Sequence, residues 1–129
     1  MDDSLLLFLA GKASPCYIFD AGLLKDRIAA CRTIVGPTVS LCYSIKANPF
    51  LTPVMAEVID ALEVCSPGEL EICHASGMPA DMVLYSGVTK TAPDIVRALD
   101  LGVRRFTCES PEHARLLNEA AMSDRKSVV

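Results

Sequence analysis

Short runs of β-branched and apolar residues alternate with amphipathic helical runs along this sequence. Strands are predicted over residues 38–45 (TVSLCYSI), 62–65, 82–85 and 105–108. Helices are predicted over residues 52–61, 92–101 and 111–122. Parallel neighbours in a sheet need a crossover connection, which is usually helical. The alternation therefore predicts an α/β fold built on a parallel sheet.

Capping signals mark where several helices begin. Ser66 is followed at once by Pro67 and three positions later by Glu69, which is the spacing of a capping box. Thr91 and Asp94 have the same spacing. Ser110 is predicted to cap the last helix, and Asp20 to cap an earlier one with apolar residues at helical spacing.

The strand and helix repeats do not decide between two architectures. A (β/α)8 barrel has eight such units in about 250 residues, whereas a doubly wound sheet is complete with fewer strands. Nothing in the sequence after residues 105–108 covers the edge of that last strand. Complete domains protect such edges, so we expect this chain to be part of a larger domain.

The last six residues have a separate interpretation. Residues 124–129 (DRKSVV) match one translated frame of a widely used sequencing adapter, and a stop codon follows in that frame. We therefore expect residues 124–129 to be a non-native tail.

Composition excludes several classes of protein. Hydrophobic residues make up 51% of the chain and charged residues 22%, so it has enough apolar surface to fold. The net charge of −4 gives no basic patch for nucleic acid. No apolar run suits a membrane span or a secretory signal. The six cysteines have no paired spacing, which favours reduced thiols in a cytoplasmic protein and no metal site.

Lys46 stands out as a candidate catalytic residue. It follows the most apolar predicted strand at its carboxyl end, where α/β folds place their catalytic groups. We expect an amine in that place to be partly desolvated, which lowers its pKa and makes it nucleophilic toward a carbonyl. A solvated lysine that only ends the strand is the alternative.

Four ordered motifs resemble one family. Residues 43–49 (YSIKANP) resemble the cofactor-lysine motif of the fold-type III pyridoxal-phosphate decarboxylases, which include the ornithine, diaminopimelate and arginine decarboxylases. Residues 62–70 (LEVCSPGEL), 84–91 (LYSGVTKT) and 106–110 (FTCES) are similar to the segments at the next three strands of that family. The resemblance extends from about residue 16 to residue 121.

The resemblance implies the first half of a (β/α)8 barrel of the alanine-racemase-like fold. Residues 1–20 would form an N-terminal helix and a short strand of a separate β domain, and residues 21–123 a partial cofactor-binding barrel. Pyridoxal 5'-phosphate is the implied cofactor, with Lys46 as the lysine that binds it as a Schiff base. Glu69 and Glu63 align with family acids near that lysine, although Glu63 replaces the usual aspartate.

The same resemblance implies a small amino acid as substrate and a homodimer as the complete enzyme. The GEL sequence at residues 68–70 favours a diaminopimelate decarboxylase over the eukaryotic ornithine enzymes. The isolated chain is expected to be inactive. Two alternatives remain: a racemase of the same fold type, whose usual KAxAYGHG sequence is absent after Lys46, and a non-catalytic barrel of cofactor homeostasis.

Three further polar residues are expected to have no catalytic role. His74 and His113 are predicted on the polar faces of their helices, where neither would act as an acid or base. Lys90 matches a lysine of the third family motif, and its expected role is structural.

Overall fold

A computed structural model describes residues 2–12 and 15–126 of the chain, and for residues 124–126 it describes the backbone alone. The predicted tail at residues 124–129 lies partly outside this range, because residues 127–129 are not described. The described part of the tail continues the last helix.

Helices and strands alternate as predicted. The helices are α1 (Asp3–Ala10), α2 (Ala21–Val35), α3 (Thr52–Ala56), α4 (Pro67–Ala75), α5 (Ala92–Asp100) and α6 (Pro111–Lys126). The strands are β1 (Cys42–Ser44), β2 (Ala61–Val64), β3 (Val83–Tyr85) and β4 (Arg105–Phe106). Short 3-10 turns follow β1 and precede β3.

The strands form one parallel sheet in the order β1-β2-β3-β4. A doubly wound sheet reverses its strand order at a switch point, which places its first strand inside the sheet. Here each strand is added beside the previous one and β1 lies at an edge, as in the first half of a (β/α)8 barrel. The strand order therefore confirms the predicted barrel half and decides between the two architectures.

One face of the sheet carries the hydrophobic core. Register pairs place Leu62, Val64, Val83 and Tyr85 on this face, and each is at most 2% exposed. Helix residues from α3, α4 and α5 pack into the same core, including Met55, Leu70 and Ala98. The opposite face, which lines the inside of a barrel, is more open and carries Cys42, Ser44, Glu63, Leu84 and Arg105.

The predicted helix caps are confirmed, but β1 is shorter than predicted. The side chains of Asp20, Ser66 and Ser110 accept hydrogen bonds from N–H groups in the first turns of α2, α4 and α6. Asp94 accepts from the N–H and hydroxyl of Thr91 at 2.9 and 2.6 Å. The prediction of a strand over residues 38–45 is wrong at both ends, since only Cys42–Ser44 pairs with β2.

The N-terminal segment contains the predicted helix, and its residues 2–12 and 15–20 include no strand. α1 is capped by Asp2, and several of its apolar side chains are exposed. Residues 16–20 pair with no strand of the described chain, and Tyr17 is 94% exposed. Their place in a separate β domain stays a prediction.

Candidate functional site

Lys46 lies at the carboxyl end of β1, on a 3-10 turn over Ile45–Ala47. Ile45 is fully buried and anchors this turn in the core, whereas the Lys46 side chain is exposed. The Tyr43 hydroxyl donates a hydrogen bond to the Asn48 carbonyl oxygen at 2.9 Å, which closes the loop around the lysine. The flanking residues of the sequence motif thus hold the backbone that presents the amine.

Three polar side chains form a cluster with Lys46: Glu63 on β2, Cys65 directly after β2 and Ser86 directly after β3. The Lys46 Nζ lies 3.5 Å from Cys65 Sγ, and that sulfur lies 3.4 Å from Ser86 Oγ. Ser86 Oγ donates to a Glu63 carboxylate oxygen at 2.6 Å. We call Lys46, Glu63, Cys65 and Ser86 the lysine cluster; it lies at the carboxyl ends of β1, β2 and β3, and barrel enzymes have their active sites at this end of the strands.

The electrostatics of this cluster differ from the sequence prediction. The hydrogen bond to Cys65 raises the pKa of the Lys46 amine above its ordinary value, and the charge of Glu63 raises it further. The expected lowering of the Lys46 pKa by desolvation is therefore wrong for this chain, because the amine is exposed and its neighbours favour the ammonium form. In return, the Ser86 hydrogen bond and the Lys46 charge lower the pKa of Glu63.

Glu69 acts on the backbone beside the cluster. Its carboxylate accepts a hydrogen bond from the Cys65 N–H at 2.8 Å, and its own N–H donates to Ser66 Oγ at 3.3 Å. The hydrogen bond to the Ser66 hydroxyl that a capping box requires is thus present, but the Glu69 carboxylate accepts from the N–H of the residue before Ser66 instead of from the Ser66 N–H. Glu69 therefore fixes the chain position of Cys65, and its charge makes a smaller contribution to raising the Lys46 pKa.

Lys90 connects the ends of β3 and β4. Its side chain is 4% exposed, and Nζ donates to the Gly87 carbonyl oxygen at 2.6 Å and to Thr107 Oγ1 at 3.2 Å. The same ammonium lies 6.0 Å from the centre of the Tyr85 ring. A buried cation with neutral oxygen acceptors on two strand ends supports the structural role predicted for Lys90.

The two histidines differ from each other. His74 is exposed on α4, as predicted. The prediction that His113 lies on a polar face is wrong, since its side chain is only 7% exposed. His113 is in the first turn of α6, a helix that packs against α5.

Two members of the lysine cluster were missed by the sequence analysis. Cys65 was considered only as a thiol, and Ser86 only as part of a motif. The sequence could have shown that Cys65 lies near Glu63, because side chains two positions apart in an extended segment share a face. That Ser86 contacts both residues depends on the pairing of β2 with β3.

The described residues show neither a metal site nor a membrane-spanning helix. Across residues 2–12 and 15–126, no group of three or more His, Cys, Asp or Glu side chains is arranged to hold a metal ion. Within those ranges no helix has the length and apolarity needed to cross a bilayer.

The lysine cluster has the chemistry needed to bind an aldehyde cofactor. An exposed primary amine can form a covalent bond with a carbonyl carbon once it has lost its ammonium proton, and the charge of Glu63 favours the ammonium form until that proton leaves. Lys46, at the carboxyl end of β1, combines an exposed primary amine with a nearby carboxylate. The donor set therefore fits an aldehyde group at this position.

Comparison with known proteins identifies what this chain resembles. The family model described as pyridoxal-dependent decarboxylase, pyridoxal binding domain, matches residues 21–129. A diaminopimelate decarboxylase of Aquifex aeolicus is 32% identical over 110 residues, which are 84% of this chain and 26% of that protein. Another from Pseudomonas fluorescens is 40% identical over 102 residues, or 77% of this chain and 24% of that protein.

A solved structure agrees with these matches. The crystal structure of diaminopimelate decarboxylase from M. jannaschii with L-lysine has a TM-score of 0.71 and 26% identity, over 92% of this chain and 30% of that chain. The chain thus spans less than a third of the length of the relatives it matches.

Proposed function

The chain belongs to the pyridoxal-dependent decarboxylases, in their pyridoxal binding domain, and on that premise we propose that it is the N-terminal part of an amino-acid decarboxylase. Lys46 is the cofactor-binding lysine of this enzyme. The observation that carries the proposal is the exposed Lys46 amine at the end of β1, within 3.5 Å of Cys65 and close enough to Glu63 for that charge to raise its pKa.

The residues of the cluster have distinct roles in this proposal. When bound, pyridoxal 5'-phosphate supplies an aldehyde for amines and a ring that takes up the electron pair released as the carboxylate leaves. Lys46 holds this cofactor through its amine. The charge of Glu63 favours the ammonium form of Lys46, which must lose a proton before its nitrogen reacts, and Ser86 orients the Glu63 carboxylate. Glu69 positions Cys65 through the backbone and is a weaker candidate for direct catalysis.

We assign diaminopimelate as the substrate class. The support is that the named relatives at 32% and 40% identity are diaminopimelate decarboxylases. The product of removing one carboxylate from diaminopimelate is lysine, and the relative from M. jannaschii was crystallised with L-lysine.

The complete enzyme in this proposal is a cytoplasmic homodimer that binds neither nucleic acid nor a membrane. Six free cysteines, all within the described residues, suit a reducing compartment. The open inner face of the sheet, with Arg105 and Cys42 exposed, is covered by the remaining barrel strands. The 129-residue chain alone is expected to show no decarboxylation.

The test begins with the complete protein, expressed through its downstream reading frame. After incubation with pyridoxal 5'-phosphate and reduction with borohydride, peptide mass mapping locates the pyridoxyl group. We expect it on Lys46, and we expect release of carbon dioxide from diaminopimelate in preference to ornithine, arginine or lysine. Lys46→Ala should abolish both, whereas Lys25→Ala, which removes an exposed lysine paired with Glu57, should leave both unchanged.

Two results would contradict the proposal in different ways. A pyridoxyl group on another lysine, or on none, would refute the role of Lys46. An adduct on Lys46 with turnover of a different amino acid would leave that role intact and refute only the substrate assignment. Exchange of the α-proton without loss of carbon dioxide would favour a racemase instead.

A further inference from the structure

Cys65 is a thiol in direct contact with the lysine that the site depends on. Its sulfur lies 3.5 Å from Lys46 Nζ, and the residue is half-buried, so part of it is open to solvent. The backbone of Cys65 is fixed by the Glu69 carboxylate, and its sulfur also contacts Ser86 Oγ. Cys65 is therefore held in place by Glu69 of α4 and by Ser86, which follows β3.

The environment of Cys65 differs from that of three other cysteines, Cys42, Cys73 and Cys108. Burial raises the pKa of the Cys73 thiol to about 11, which keeps it protonated and unreactive. Burial also raises the pKa of Cys42, and the charge of Glu63 adds to this effect. Cys108 is exposed, but its sulfur contacts the Ser110 carbonyl oxygen. Reactive cysteines occur beside cationic groups and partly open to solvent, and Cys65 meets both conditions.

We propose that Cys65 is an oxidative modification site, at which a hydroperoxide forms a sulfenic acid that Lys46 then captures as a sulfur–nitrogen cross-link. In the first step the Cys65 sulfur attacks a peroxide oxygen. A sulfur–oxygen bond forms, the oxygen–oxygen bond breaks, and hydroxide leaves and becomes water. Sulfur loses two electrons and the peroxide gains them.

The second step uses the contact with Lys46. The Lys46 ammonium first gives one proton to solvent, and the free lysine nitrogen then attacks the sulfur. A sulfur–nitrogen bond forms, the sulfur–oxygen bond breaks, and the hydroxyl leaves as water with a second proton from the nitrogen. Because reacting atoms at about 3–3.5 Å are in near-attack range, little movement is needed. A thiol reductant reverses the bond by attacking the sulfur and returning the free amine.

The cross-link has a functional consequence that rests on the proposed role of Lys46. An amine bound to sulfur cannot bind an aldehyde, so oxidation of the cofactor-free protein blocks cofactor loading. A bound cofactor occupies the same nitrogen and prevents the cross-link. The cross-link therefore forms only in enzyme that is newly made or has lost its cofactor.

The experiment treats the complete, cofactor-free protein with hydrogen peroxide and maps its peptides by mass spectrometry. We expect a pair of peptides joined through Lys46 and Cys65, with a mass two hydrogens below their sum, that dithiothreitol separates. Prior loading with pyridoxal 5'-phosphate should abolish this species. Treatment with peroxide should also lower the amount of pyridoxyl group that borohydride traps on Lys46, and dithiothreitol should restore that amount.

Three variants separate the steps. Lys46→Arg keeps the positive charge but lacks the primary amine, so Cys65 should react with the sulfenic-acid probe dimedone without any cross-link. Cys65→Ser should abolish both products, and Cys108→Ser, an exposed control, should change neither. The proposal is overturned if the wild-type protein yields only a dimedone adduct, an unmodified Cys65, or a joined peptide that retains an extra oxygen. The cross-link is read from mass alone, so its outcome is independent of whether the enzyme decarboxylates.

Discussion

Gly87 is the position where a single added methyl group should disturb the lysine cluster most. It follows Ser86 at the end of β3 and lies against the turn that leaves β2. A Cβ on Gly87 would lie 2.3 Å from the Cys65 carbonyl oxygen and 3.0 Å from its carbonyl carbon. Both contacts are with backbone, so no side-chain rotation relieves them.

The loss in the free energy of unfolding caused by Gly87→Ala follows from this geometry. The two strand ends must separate by about 1 Å to restore an ordinary contact, and overpacking of this kind costs about 1–3 kcal/mol. The movement also strains the hydrogen bond from the Ser86 N–H to the Val64 carbonyl oxygen, now 2.8 Å, and such a bond contributes about 1 kcal/mol. We therefore expect the free energy of unfolding to fall by about 3 kcal/mol.

Urea unfolding of the complete protein measures this loss, with Gly68→Ala as the matched control. Gly68 is in the first turn of α4, and a Cβ there would meet no atom within 4 Å. Alanine at such a helical position stabilises by about 0.4–1 kcal/mol, because the unfolded chain loses freedom. If the urea midpoint of Gly87→Ala equals that of wild type or of Gly68→Ala, the close approach of β2 and β3 described here is refuted.

The remaining predictions concern charge. Glu63→Gln removes a charge that raises the Lys46 pKa, so pyridoxal labelling of Lys46 should extend to lower pH. Labelling curves that overlay those of wild type would refute this effect of Glu63 on the Lys46 pKa. Lys90→Met removes a buried donor and leaves the Gly87 carbonyl oxygen without the Lys90 hydrogen bond, while Thr107 Oγ1 keeps its bond to Glu109; the unfolding free energy should fall by about 1–3 kcal/mol in urea titrations, and no loss would contradict the structural role. Arg97→Ala breaks an exposed ion pair with Glu71, and the same titrations should show a loss below about 1 kcal/mol.

Local chemistry made much of the fold predictable. The caps at Asp20, Ser66, Thr91 and Ser110 lie where the sequence placed them, because a cap depends only on the residues of one helix turn. The position of Lys46 at the end of the first strand is likewise local, since it depends on where an apolar run stops. The length of β1 was not predictable, because a strand extends only as far as its partner does.

Properties that depend on distant residues could not be derived in the same way. The pKa of Lys46 was expected to fall and instead rises, because its direction depends on Cys65 and Glu63 from another strand. His113 was expected on a polar face and is buried, because helical spacing alone does not show which side α5 will cover. Glu69 was expected to bond within its capping box and instead holds Cys65.

The sequence by itself determined the alternation of strands and helices, the helix starts and the family motif around Lys46. These features depend on residues within a few positions of one another, so short-range sterics and hydrogen bonding specify them. The tertiary structure decided the barrel order of the sheet and the contact between Lys46 and Cys65. Both require strands separated by a whole helix to pair in one register, and only the packing of the helices on the sheet selects that register.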